Sequence, residues 1–428
     1  MIVSQPAMKA MKAILSNDYG SIQNLHLVTD YIHPALDNKN KTHQIPKGKL
    51  LIKTQAVAIA PGDVRVLSGV TRELQGPPSF PYIPGGDLCG TIVDMNMDMK
   101  NDSTEYKLGD RIAARFTDGP RGALGEYTLV NPKMASKVPS NLSSEEGAAL
   151  ASSATVALCL SRRISPQEKV LIMGCGGGVG SHLCQLLRIK GVKCIAAASH
   201  DPERMKKEPF LCDYVLDYSQ KDVYDLKEWN KVGVPLDEMF DTVIDLSGGG
   251  WLRLMEHRRT STDDTNAANT NANTNANAPD TTTTTTKMIV KAAKDGGRYL
   301  TLVPDVYNFE LHSIWQAMKL FLFANMYRHV TSRSIYRATL PAHTFAMSLD
   351  NDVEIMKETL KLASENKLKA CIDDRGPFEF TTEGVQQAFE LQASRHVRGK
   401  VVVTVLPSGD DEPAAAGGLK NPQDLVDA

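Results

Sequence analysis

The chain has 428 residues, 42% hydrophobic and 23% charged, and its 48 basic against 50 acidic residues leave a net charge of −2. This is ordinary globular composition, enough for two or three domains at roughly 100–200 residues each, and the balanced charge supplies no global field for gripping nucleic acid or an anionic membrane. The most apolar stretch, Ile314 to Met326, contains Gln316, Lys319 and Asn325; it falls short of the roughly 18 residues of a spanning helix and is expected to pack inside, against a sheet or a dimer partner.

Met1 to Ala13 lacks both a continuous apolar core and an Arg/Ser-rich presequence, so no cleaved signal is expected. The seven cysteines, at 89, 159, 175, 184, 194, 212 and 371, form no CxxC pair. They read as reduced thiols of a cytosolic-type compartment, with a mitochondrial address left open. Short apolar segments bounded by Gly, Pro, Asn and Asp follow: Met11 to Leu15, Lys49 to Ala60, Gly90 to Val93, Arg111 to Ala114 and Glu126 to Val130. They predict a β-barrel or sandwich.

From Ser143 the texture becomes helical, with Glu145 and Glu146 in the first turn, where the helix dipole favours acids. Strands are then predicted at Lys169 to Met173, Lys193 to Ala198, Tyr214 to Asp217, Phe240 to Leu246 and Gly297 to Val303, with a helix over Val179 to Ile189. Alternating strands and helices of this kind build a doubly wound parallel sheet. Arg259 to Lys287 is almost entirely Thr, Asn, Ala, Asp and Ser, and Ser408 to Ala428 is acidic and Ala/Gly-rich. Both are expected to be disordered, leaving about 380 residues to fold. Helices over Val353 to Glu365 and Thr382 to Gln392 precede a last strand, Gly399 to Leu406.

The strongest chemical signal is the strand ending at Met173 followed by Gly174-Cys175-Gly176-Gly177-Gly178-Val179-Gly180. Glycines between a strand and a helix let backbone N–H groups approach a pyrophosphate at the helix N-terminus. With Gly177 and Gly180 as second and third glycines of G-x-G-x-x-G, the first position is Cys175. The literal pattern therefore fails by one small residue. The second strand ends Ala198-Ser199-His200 with no acid for a ribose 2′-OH, and Asp201-Pro202-Glu203 reads as a helix cap. Ser199 and Arg204 could hold a 2′-phosphate, which points to NADPH rather than NADH; as a plain helix residue, Arg204 would simply be solvated.

The same glycine turn resembles the G-A-x-G-G-V-G of the quinone oxidoreductase-like medium-chain dehydrogenase/reductases, and other landmarks of that family stand in order around it. They are Ala60-Pro61-Gly62-Asp63 with Ser68-Gly69, Pro84-Gly85-Gly86-Asp87-Leu88-Cys89-Gly90, Leu108-Gly109-Asp110-Arg111, Gly125-Glu126-Tyr127, Asp241 to Asp245 with Gly248-Gly249, and Arg398-Gly399-Lys400. The resemblance covers about residues 10 to 406 and is nearest the zinc-independent branch that includes reticulon-interacting protein homologues. It implies an α/β architecture: a GroES-like β-barrel catalytic domain over 8–150, a Rossmann domain over 151–340 carrying the insert 259–287, a return to the catalytic domain over 341–406, and a tail, 407–428. It also implies an active site in the cleft and a possible homodimer paired through Rossmann strands.

Zinc-dependent relatives use a Cys and a His-Glu pair, but the corresponding stretches here, Ala60 to Asp63 and Gly85 to Asp87, offer no His or Cys. Catalytic Zn²⁺ needs three such ligands, so no metal is expected. By the resemblance, Cys175, Gly176, Gly177, Gly178, Val179 and Gly180 would carry the pyrophosphate, Ser199, Arg204 and Tyr218 the adenosine end, and Thr155, Ser247, Gly248, Leu302 and Val303 the nicotinamide. Asp63 and Thr155 are the catalytic candidates. Each also has a plain structural reading, Asp63 as the cap of a turn and Thr155 as a helix threonine bonding back to its own backbone. Arg65 and Tyr82 are further cleft positions, and neither His182 nor His200 has a spacing partner.

The implied activity is zinc-free hydride transfer from NADPH to a quinone or an activated carbonyl or alkene. Relatives acting on 2-enoyl thioesters carry a tyrosine two residues after the Ser-Gly, where Thr71 stands here after Val70, which puts that substrate in doubt. The departures at Cys175, Val70 and Leu67 keep open an alternative, a non-catalytic NADPH-binding scaffold or interaction protein.

Overall fold

The computed structural model describes residues 10–35, 44–76, 79–96, 105–115, 122–235, 239–258, 288–303, 313–346 and 353–406. The Thr/Asn-rich stretch 259–287 and the tail 407–428, both expected to be disordered, lie outside the described residues.

Strands β1 (Ala10–Leu15) and β2 (His26–Ile32) pair with each other. They are followed by β3 (Lys49–Ile59), β4 (Asp87–Asn96), β5 (Arg111–Arg115), β6 (Tyr127–Val130) and β7 (Ala135–Lys137) in antiparallel pairs. The chain then builds β8 (Lys169–Met173), β9 (Cys194–Ala198), β10 (Tyr214–Leu216), β11 (Thr242–Asp245), β12 (Arg298–Thr301) and β13 (Ala342–Phe345), all parallel, in the order β10-β9-β8-β11-β12-β13. Finally β14 (Phe378–Glu379) and β15 (Val401–Thr404) join the first sheet, where Val401 to Thr404 pair antiparallel with Ile59 to Ala56.

The six-stranded sheet is the expected Rossmann-like sheet. Its strands read as continuous apolar runs because helices cover both faces, and Val170, Leu171 and Ile172 have no exposed surface. On one face Leu183, Leu186 and Leu187 of the helix Gly178–Ile189 are buried, while Trp229, Phe240 and Tyr299 lie in the cluster on the other. The seven-stranded sheet runs β14-β15-β3-β4-β5-β7 with β6 beside β3. Its ends, β14 and β7, are not paired to each other among the described residues, so a closed barrel is not seen.

The Ser143 helix starts as expected, with the Ser143 side chain accepting from Glu146 N and Glu146 reaching back to Ser143 N. It breaks at Ser152 into Ser144–Ala151 and Ser153–Arg162. The small buried residues Ala148, Ala149 and Ala151 pack with Ala56, Ala58 and Ala113 of the first sheet and Val170 and Ile172 of the second, so the two sheets share one core. Two expectations need correction. β13 extends the parallel sheet to Phe345, past the boundary at 340. In the stretch Ile314 to Met326, Trp315, Leu322, Phe323 and Met326 are exposed in the single chain, so these side chains do not pack against the sheet, the first of the two placements expected for this stretch. Among the described residues no helix is long and apolar enough to cross a membrane.

Candidate functional site

The strand order reverses between β8 and β11, which opens a crevice at their carboxyl ends, the usual ligand position in a doubly wound sheet. The glycine turn lies on one side. Gly174 takes φ +79°, and a Cβ there would meet Leu246 C and Ser247 N at 3.3 Å, so the loops after β8 and β11 abut. A Cβ on Gly180 would lie 2.5 Å from Cys175 Cα and Gly174 O, so only glycine lets the helix Gly178–Ile189 begin this close to the turn. Cys175 is fully buried; its thiol donates to Ala198 O at 3.2 Å, and burial pushes its pKa up. It faces the sheet, which explains how a side chain fits at this position. Val179 is half-buried on the first turn of the helix.

A Cβ added at Gly176 would meet Arg204 Nη1, Ser199 Oγ and Val397 O in ordinary contact, each at 3.9 Å. Ser199 is buried, its Oγ accepting from Asp201 N at 3.0 Å, and Asp201 caps the helix Pro202–Lys206 through Arg204 N. Arg204 is not a solvated helix residue. Its guanidinium lies over the Phe210 ring at 4.6 Å and donates to Arg398 O at 2.9 Å and Gly176 O at 3.5 Å. Next to it a cavity of about 430 Å³ is lined by His200, Asp374, Arg375, His396 and Arg398. Tyr218 joins this cluster, its hydroxyl 3.3 Å from His200 Nδ1. Arg398 pairs with Asp201 at 3.3 Å and Asp374 at 3.4 Å, and Arg375 grips Asp373 with two bonds of 2.8 and 2.7 Å. Partial burial, with His396 and Arg398 nearby, lowers the pKa of His200.

On the other side of the crevice the buried Asp245 organises the loop after β11. Oδ1 accepts from Ser247 N (2.9 Å), Ser247 Oγ (2.9 Å) and Gly248 N (2.8 Å), and Oδ2 from Gly250 N (3.1 Å) and Tyr299 Oη (3.0 Å). Leu302 and Val303, both half-buried, follow β12, and Leu302 N donates to Asp245 O at 3.3 Å.

From the first sheet, Asp63 is buried on the helix Pro61–Leu67, its Oδ2 accepting from Ala60 N at 2.7 Å, which is the geometry of a cap. Thr155 is buried, its hydroxyl donating to Ala151 O at 2.8 Å within its own helix. Tyr82 is buried and its ring packs on Phe80, while Arg65 is half-buried. A link that sequence reasoning missed joins the two sides. Lys400 lays its stem on Gly178 and donates to Asp87 Oδ2 at 3.1 Å, with both side chains only 6% exposed. Burial raises the Asp87 pKa, with the Lys400 ammonium and Arg115 opposing and Asp63 adding to it. His182, under the turn, accepts from Cys371 N at Nε2 and contacts Gly178 O through Nδ1 at 2.6 Å; burial lowers its pKa to about 4.

Two family models match the chain: "Alcohol dehydrogenase GroES-like domain" over residues 46–140 and "Zinc-binding dehydrogenase" over 259–403. The chloroplastic NADPH-dependent alkenal/one oxidoreductase of Arabidopsis thaliana is 24% identical over 408 residues, 93% of this chain and 81% of that protein. The quinone oxidoreductase of Rattus norvegicus is 30% identical over 227 residues, 52% of this chain and 61% of that protein. Among solved structures, Escherichia coli quinone oxidoreductase complexed with NADPH aligns with TM-score 0.62 at 17% identity, covering 92% of this chain and all of that one, a likeness of fold. Although one model's description mentions zinc, no group of three or more His, Cys, Asp or Glu among the described residues is placed to hold a metal ion.

Proposed function

We propose that this chain, an NAD(P)H-type oxidoreductase similar to the quinone oxidoreductase-like medium-chain dehydrogenase/reductases, uses NADPH, without zinc, to reduce quinones and activated alkenes or carbonyls. In this reading the seven-stranded sheet is the GroES-like catalytic domain.

The observation that carries the cofactor reading is that Gly176, on the glycine turn, is faced by the Arg204 guanidinium and the Ser199 hydroxyl, each 3.9 Å from where a side chain would begin. A pyrophosphate would lie on the amides of Gly176 and Gly177, which bear no side chain, at the N-terminus of the helix Gly178–Ile189. Arg204 and Ser199, with Arg398, His200 and Tyr218 around the adjoining cavity, would meet a 2′-phosphate. Ser247 and Gly248, on the loop that the Asp245 carboxylate bonds, and Leu302 and Val303, after β12, would flank the nicotinamide. When bound, NADPH supplies a hydride from its nicotinamide ring.

Zinc does not fit. The corresponding stretches beside the first sheet offer Asp63 and Asp87, which are engaged with Ala60 N and Lys400, and the nearby Cys89 thiol is fully buried with its pKa pushed up to about 12. The protein's own contribution is therefore orientation and exclusion of water. The geometry favours the structural readings of both catalytic candidates, since Asp63 Oδ2 accepts from Ala60 N and the Thr155 hydroxyl donates to Ala151 O. That favours acceptors whose reduced anion is resonance-stabilised and takes its proton from water, as a quinone's does. The test is turnover of NADPH against a panel of quinones, enals and enoyl thioesters. Oxidation by quinones or enals supports the reading; tight NADPH binding with no oxidation by any of them would replace it with a scaffold role.

A further inference from the structure

We propose that the helical segment 313–333 is a docking surface for an anionic lipid bilayer, set beside the mouth of the substrate cleft. The segment runs through Ile314–Ala317, a π-helical turn Met318–Phe323 and Ala324–Arg333. Five of its apolar residues face outward: Trp315 is 73% exposed, Leu322 52%, Met326 54%, Tyr327 64% and Val330 56%. These positions recur at helical spacing and form one stripe. Three polar residues, Asn325, Thr331 and Ser332, are buried instead. An ordinary surface helix has the opposite arrangement.

Charge decides what this stripe meets. Between Glu310 and Asp350 there is no Asp or Glu, while Lys319, Arg328, Arg333 and Arg337 are all basic. Glu73, on the neighbouring helix Arg72–Gln75, is paired with Arg72. In a two-fold dimer the same patch faces itself, so two copies would bring these four cations against four cations. The sheet edge alongside is also occupied at His343, whose N–H is bonded to Ser332 Oγ and whose carbonyl accepts from Arg333. An anionic bilayer complements the patch: Trp and Tyr favour the headgroup level, Leu, Phe and Met the acyl boundary, and Lys and Arg the lipid phosphates.

The inner side of the same segment gives the surface a use. Leu320 and Phe321 pack with Val70, in the segment after Ser68-Gly69. If the proposed function holds, a lipophilic quinone or alkenal leaving the bilayer would reach the cleft without crossing water. The docking itself does not depend on that reading.

The test is co-sedimentation of the full-length protein with vesicles of neutral phosphatidylcholine, with and without about 30 mol% phosphatidylserine. Binding should be at least about tenfold stronger to the anionic vesicles and should fall with added salt. Because Trp229 and Trp251 are buried, a blue shift of tryptophan emission on binding reports Trp315. The variants Leu322→Ser/Tyr327→Ser and Lys319→Glu/Arg337→Glu change exposed side chains; each should lose vesicle binding while keeping the circular dichroism spectrum and NADPH affinity of the parent. Absence of vesicle binding by the parent, equal binding to both vesicle types, or binding unchanged in both variants would overturn the proposal. So would a dimer in sedimentation velocity that Leu322→Ser/Tyr327→Ser dissociates, which would assign the stripe to a second copy. Vesicle binding without NADPH binding would leave the docking surface standing and remove the cofactor reading.

Discussion

Replacing Lys400 by Met should destabilise the protein in a way that depends on pH. The ammonium lies 3.1 Å from Asp87 Oδ2 with both side chains 6% exposed. At an effective dielectric of about 20, the attraction at that distance is about 5 kcal/mol. Desolvation of the two ions cancels much of this, so the pair as a whole contributes little net stability. Removing one partner differs, because Met keeps the packing on Gly178 but leaves Asp87 buried without its cation, at a cost of about 3–5 kcal/mol. The stranded carboxyl escapes by taking a proton. Its folded pKa then stands above its unfolded value, the folded state binds the extra proton, and the variant recovers up to about 1.4 kcal/mol per pH unit as pH falls toward the unfolded value. Urea unfolding of both proteins at pH 8 and pH 5.5 reads this directly, and the double variant Lys400→Met/Asp87→Leu should regain most of the loss at pH 8. A loss below about 1 kcal/mol, or one identical at both pH values, would refute the reasoning.

Gly180→Ala would place its Cβ 2.5 Å from Cys175 Cα and Gly174 O, both backbone that cannot swing aside. The helix must move off the turn, costing about 1–3 kcal/mol of stability and about a hundredfold in NADPH affinity, measured by fluorescence titration. His182 and His343 are buried with pKa values lowered to about 4 and about 3, so the unfolded chain takes up their protons first. Stability is fully present above about pH 6.5 and is lost as pH falls toward those values, by about 3 kcal/mol for His182. Neither ring nitrogen of His343 has a hydrogen-bond partner among the described residues, and the ring packs edge-on to Trp251 and beside Tyr299. His343→Phe should therefore raise the melting temperature and flatten the acid limb of the stability curve; an unchanged limb would contradict this. Asp245→Asn replaces one carboxylate oxygen by an NH₂ facing the donors of Gly250 and Tyr299, or of Ser247 and Gly248. It should cost about 1.5–3 kcal/mol in denaturant unfolding.

The nucleotide-type half was the most legible part of the sequence. β8 occupies the predicted residues, and β9, β10 and the helix Gly178–Ile189 fall within a residue of them, because buried strands between glycine and proline turns carry a strong apolar signal. β2 was not legible, since it is half-exposed or exposed along its length and shows no clean alternation. Pro61–Leu67 begins Pro-Gly-Asp, which reads locally as a turn; the proline at its first position and the Asp63 cap make it a helix. β13 has four residues after a proline and is held by β12 and the helix Ala324–Arg333, neither of which is local to it. At the site, the glycines, Ser199 and Arg204 were visible because their spacing from a strand end is local. The Lys400–Asp87 pair spans 313 residues, and although both residues stood in recognisable segments, no spacing rule joins them. The cavity cations from 375 to 398 converge on His200 only through the fold. The outward stripe of 313–333 was only half legible, because apolar spacing reports a face without saying whether it meets the chain's own sheet or a surface outside the chain.

The central claim is that the crevice is built for NADPH. Equilibrium titration of the full-length protein with NADPH and NADH, repeated on Arg398→Ala, tests it most directly. A charge-assisted bond to the 2′-phosphate is worth about 1.5–3 kcal/mol, so NADPH should bind about 10- to 100-fold tighter than NADH, and the variant should lose most of that advantage while its NADH affinity stays the same. Equal affinities in the parent protein, or no binding of either nucleotide, would contradict the account.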